Sequence, residues 1–200
     1  MLGALIPLWT YPLLRRSGKL GRADAAAIAA HYGSVSAVTF IAATNHLKAV
    51  NVPYENYATA FLAVMESPAI LVGIVLGKLK ENNGTESRGA VLRKAVHEAL
   101  FGRSIFLLVG ALLVGALCGE SGMKKVEPFF VAPFQGVLAL FLLEMGVLTG
   151  RRLPDIRTAG LGLVVFALAF PLLAGTAGVA AGLLAGMSTG GAMVLGVLCA

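Results

Sequence analysis

Charge is scarce in this chain. Asp, Glu, Lys and Arg make up 13% of its 200 residues, against about 25% in soluble domains. A soluble fold of this length would have too few polar residues to coat its surface. Cysteine is nearly absent as well. Cys118 and Cys199 are the only two, and both lie in apolar stretches. That excludes a disulfide framework and leaves small packing residues. The three histidines, His31, His46 and His97, share no metal-ligand spacing. There is no His-Glu-x-x-His helix, no phosphate-binding P-loop and no Gly-x-Ser-x-Gly elbow. The expectation is therefore a protein that is not an enzyme and carries no cofactor. Period-2 alternation is missing from the apolar stretches, which disfavours a membrane β-barrel. No basic residue precedes the first apolar stretch and "LLRRSGK" follows it, so it does not read as a secretory signal.

What is present is apolar length. Hydrophobic residues reach 58%, and mean hydropathy is +0.84. The class this implies is an all-α polytopic membrane protein. Seven apolar stretches are legible, at about 2–14, 23–46, 57–79, 104–118, 129–149, 159–187 and 190–200. A span needs roughly 20 residues. By that measure the second, third, fifth and sixth suffice, and the fourth is borderline. The domain plan is 1–79 with three segments, 80–103 as a linker, and 104–200 with four. Within the linker, Val91, Leu92, Ala95, Val96, Ala99 and Leu100 recur at helical spacing and predict a short amphipathic helix. Its first half is turn-rich. Gly178, Gly182, Gly186 and Gly190 recur every fourth residue. They predict a smooth helix face for close packing, and the pairs Gly115 with Gly119 and Gly146 with Gly150 repeat the pattern.

The net charge of +6 does not point to nucleic acid, because the basic residues sort by loop. With loops alternating sides, one side holds Arg15, Arg16, Lys19, Arg22, Lys78, Lys80, Arg88, Arg93, Lys94, Arg103, Arg151, Arg152 and Arg157. The other holds only Lys48, Lys124 and Lys125. The positive-inside rule makes the rich side cytoplasmic, linker included.

Polar residues then stand out inside the spans. The second segment contains "HYGSVSAVTF" at residues 31–40. Gly33, Ser34, Ser36, Val35, Val38 and Thr39 all lower helix propensity there. A break would free backbone groups that lipid cannot satisfy, and such groups suit an ion site. Hydroxyls of Ser34, Ser36 and Thr39 would supply hard oxygens for a cation. The competing arrangement has each hydroxyl bonding to the carbonyl four residues back, leaving the helix whole. In the third segment Glu66 sits near mid-span, two residues before Pro68, which removes a backbone donor. An ionisable residue at that depth marks function, or else a protonated or paired structural acid.

These residues resemble a known family. "RADAAAIAAHYGSVSAVTFIAA" and "VPYENYATAFLAVMESPAILVGIVLGKL" are similar to the bacterial sodium-dependent bicarbonate permeases. "FQGVLALFLLEMGVLTGRRL" and "FALAFPLLAG" resemble that family's second half. The resemblance implies a 5+5 inverted-repeat transporter with a broken helix at the substrate site. It implies coupled uptake of sodium and bicarbonate across the bacterial inner membrane, and a homotrimer. Tyr32, Gly33, Ser34, Ser36 and Thr39 would line the ion and substrate sites, and Glu66 matches an acidic position before the family's proline. Some members take a small cytoplasmic PII-like regulatory protein as partner. By the same resemblance the chain is expected to begin inside the family's third helix and stop inside the ninth, carrying one of two half-sites. The alternatives are a sodium symporter of another small anion, and a channel or other non-transporting membrane protein.

Overall fold

The computed structural model describes residues 2–16, 20–81, 88–155 and 160–200. Its elements are helices: α1 (Leu2–Arg16), α2 (Arg22–Gly33), α3 (Ala37–Ala49), a 3₁₀ turn (Asn56–Thr59), α4 (Ala60–Glu81), α5 (Arg88–Phe101), α6 (Arg103–Phe130), α7 (Phe134–Arg152), α8 (Leu161–Leu184) and α9 (Thr189–Cys199). Among the described residues, four stretches are long and apolar enough to cross a membrane: Arg22–Ala49, Asn56–Gly77, Phe134–Arg152 and Leu161–Leu184. They coincide with the four segments that the hydrophobic pattern makes long enough. The 22 residues of Asn56–Gly77 reach about 33 Å, enough to cross a hydrocarbon core of about 30 Å.

Small residues hold the first helices together. Ala25, Ala26 and Ala29 of α2 are fully buried, and Gly73 of α4 faces Ala30. Gly3 of α1 lies against the Met65 carbonyl of α4. Lipid tails are as apolar as leucine, so such close backbone approach supplies the packing energy in place of a hydrophobic drive. A second cluster gathers Ile6, Phe40, Leu62, Met65, Phe170, Val194 and Leu198, drawing α1, α3, α4, α8 and α9 onto one core. Tyr32 ties α2 to α8, with its ring edge-on to Phe166 and Phe170 at centroid distances of 5.5 and 5.1 Å.

The four-residue glycine repeat behaves differently from its expectation. Gly178 and Gly182 do face α9, where an added Cβ would lie 2.9 Å from the Cα of Gly196 and 2.8 Å from that of Ala192. Gly186 instead sits in the turn, at φ 78°, and Gly190 belongs to the next helix. The stripe on one helix is thus two helices packed through small residues. A left-handed glycine ends α8, and Ser188 starts α9. Gly115, Gly119, Gly146 and Gly150 meet no neighbour among the described residues, so the packing expected of those pairs is not made there.

The fourth apolar segment is longer than its hydropathy. The sequence predicts an end at Cys118. The helix bends at Gly119, at φ 59° and ψ −159°, and continues to Phe130. Helix α7 buries no residue. In the linker, α5 covers the predicted amphipathic stretch, and the turn-rich residues 82–87 lie outside the described residues.

Arg15, Arg16 and Arg22 line one pocket. Lys48 and Lys124, from distant segments, share another with Glu120 and Glu127.

Candidate ion and anion site

The second apolar segment is two helices joined by three residues. Helix α2 ends at Gly33, and Ser34 is extended at φ −79° and ψ 141°. Ser36 is also extended, at φ −105° and ψ 120°, and α3 starts at Ala37. Local chemistry explains both ends. The Ser34 N–H donates to the carbonyls of Ala30 and His31, at 3.0 and 3.2 Å, and closes α2. Ser36 is the N-cap of α3: its hydroxyl accepts from the Thr39 N–H at 3.3 Å. The Thr39 hydroxyl donates to the Ser36 carbonyl at 2.9 Å. In unbroken helix the pattern differs. Thr10 and Thr44 bond to carbonyls four residues back, at 2.7 and 3.0 Å.

This bonding leaves lone pairs outward. Thr39 spends its proton on Ser36, so its oxygen keeps acceptor capacity. Ser36 keeps a lone pair and its proton. Both side chains are exposed, and Ser34 is half-buried. The negative end of α2 and the positive end of α3 meet across these residues. The N–H groups of Ala37 and Val38 have no intrahelical acceptor, because they belong to the first turn.

Helix α1 walls the break. Gly33 is buried, and a Cβ there would overlap the Pro7 ring and lie 2.9 Å from the Gly3 carbonyl. Pro7 has no N–H to offer that carbonyl, which stands four residues earlier. The fold therefore brings a backbone oxygen with no helical donor against the last residue of α2. Tyr32 is half-buried in the aromatic contact with α8. Glu66 is half-buried on α4. Its neighbour Met65 packs in the core shared by Ile6 and Phe40, but no hydrogen bond or ion pair among the described residues joins Glu66 to Ser34–Thr39. Tyr32, Gly33, Ser34, Ser36 and Thr39 thus lie together at the interruption, and Glu66 stands on another helix, α4.

Glu55 carries a junction that sequence reasoning misses. Its carboxylate accepts from the Ser188 N–H at 2.6 Å, across 133 positions of chain. Ser188 caps α9 by accepting from the Gly191 N–H at 3.1 Å. Gly191 has no room for a Cβ, because the second carboxylate oxygen of Glu55 occupies that space. The Ser188 N–H holds the Glu55 carboxyl below its ordinary value. Nothing near Glu55 in the sequence signals this contact, since its partner is formed only by the α8–α9 turn.

Long apolar helices around a polar interruption define a multi-pass, all-helical membrane protein. The family model described as the Na+-dependent bicarbonate transporter superfamily matches residues 1–200. The chain belongs to that superfamily. The comparison with curated proteins returns no match.

Proposed function

We propose that the protein takes up bicarbonate with sodium, by symport, across the bacterial cell membrane. The family match over residues 1–200 carries this reading. The geometry at the interruption supports it. Sodium binds the hydroxyl oxygens of Ser34, Ser36 and Thr39, together with backbone carbonyls at the end of α2. Its charge and the first amides of α3 then hold the bicarbonate anion. Tyr32 and Gly33 shape the wall of the site, and the Glu66 carboxyl supplies a further charge from α4. The interruption forms a half-site within a 5+5 inverted repeat, and rocking of one domain against the other alternates access. Assembly as a homotrimer and docking of a PII-like protein on the cytoplasmic linker belong to the same reading.

Uptake of labelled bicarbonate in cells expressing the protein tests it. The expected result is accumulation that follows the sodium gradient and is lost in Ser36→Ala with Thr39→Ala. Uptake indifferent to sodium and unchanged in that variant refutes the coupling. Competition by small carboxylates would move the substrate to another anion.

A further inference from the structure

We infer that the pocket between α1 and α2 binds the phosphate of an anionic phospholipid. The pocket measures about 540 Å³ and is lined by Leu8, Tyr11, Pro12, Arg15, Arg16 and Arg22. That volume lies within the range of small-molecule sites. Three of the six residues are arginines, whose planar guanidinium groups match phosphate oxygens in pairs. Among the described residues, none that lines the pocket is acidic; Arg22 has a partner of its own, so Arg15 and Arg16 carry the phosphate contact. Arg15 is held in place by donating to the Leu20 carbonyl at 2.7 Å. That bond takes one of the five N–H donors of its guanidinium.

The pocket also has a direction. Leu8, Tyr11, Pro12 and Arg15 follow the spacing of one helix face. They run from apolar to cationic over about 10 Å of helix axis. The apolar end lies toward the membrane interior, and the arginine end lies on the side that the charge asymmetry makes cytoplasmic. A free phosphate would answer the arginines and leave the Leu8 to Pro12 wall uncovered. A phospholipid answers both, with its headgroup on the arginines and the start of an acyl chain along the wall. Leu8 is 47% exposed, so this wall is open to such a chain. The site is separate from the interruption at Ser34–Ser36 and does not rest on the transport reading.

The test is native mass spectrometry of the purified protein, titrated with phosphatidylglycerol, with phosphatidylcholine, or with inorganic phosphate. The wild type is expected to retain phosphatidylglycerol preferentially. Removing two positive charges, in Arg15→Gln with Arg16→Gln, is expected to weaken that binding about thirty-fold. Arg16→Gln alone serves if the double variant does not fold, with about a five-fold loss. The pair Lys124→Gln with Lys125→Gln, on the opposite side, is expected to leave binding unchanged. Equal retention of the two lipids overturns the proposal. So does displacement of phosphatidylglycerol by millimolar inorganic phosphate, which would mark a free-anion site. An equal loss in the lysine variant would also overturn it, by reducing the effect to surface charge.

Discussion

Ser36 has two roles, and two substitutions separate them. Its hydroxyl caps α3 through the Thr39 N–H at 3.3 Å, and the proposed mechanism also makes that oxygen a sodium ligand. Ser36→Ala removes both, and loss of an N-cap serine costs about 1 kcal/mol of stability. Ser36→Gly removes the same oxygen, but glycine at an N-cap costs only a few tenths of a kcal/mol. Stability should therefore fall in Ala and hardly move in Gly. Sodium affinity should fall in both. A hydrogen-bond-like contact to a charged group contributes about 1.5–3 kcal/mol, or roughly ten- to a hundredfold in the sodium concentration for half-maximal uptake. The assay pairs thermal unfolding of the purified protein with bicarbonate uptake over a sodium series. If Gly matches the wild type in sodium dependence, the hydroxyl only caps the helix. The ion-ligand argument then fails.

Gly33→Ala drives a methyl group into the Pro7 ring and toward the Gly3 carbonyl; overpacking of this kind costs about 1–3 kcal/mol, to be read as a lower unfolding temperature. Gly146→Ala, which faces open space, is its control and should change stability by less than about 1 kcal/mol. The bond from Ser188 holds Glu55 below its ordinary 4.5, so the charged form stabilises the α9 junction above that pH. That contribution is lost as pH falls through the lower folded-state value, and Glu55→Gln should flatten the acid limb of a stability–pH curve. Glu66→Gln should reduce sodium-driven uptake by about tenfold or more if the carboxylate is charged in transport; unchanged uptake would return Glu66 to a structural role.

Much of the plan is legible before any coordinates. Four spans follow from residues whose apolar runs exceed the bilayer thickness, and α5 follows from the helical spacing of Val91 to Leu100. Both are local patterns, so one-dimensional reading suffices. The polar interruption is legible for the same reason: Gly33, Ser34 and Ser36 are poor helix formers within four positions of one another. What the chain alone determines is therefore the set of helices and the place where one of them weakens. Tertiary structure decides the rest. It seats the Gly3 carbonyl against Gly33 and sets the Tyr32 ring edge-on to α8. It divides the glycine repeat between two helices and carries Glu55 to Ser188. Most of these join residues far apart in sequence, through close backbone approach in some cases and side chains in others. Such contacts depend on how helices cross, and no local spacing encodes that.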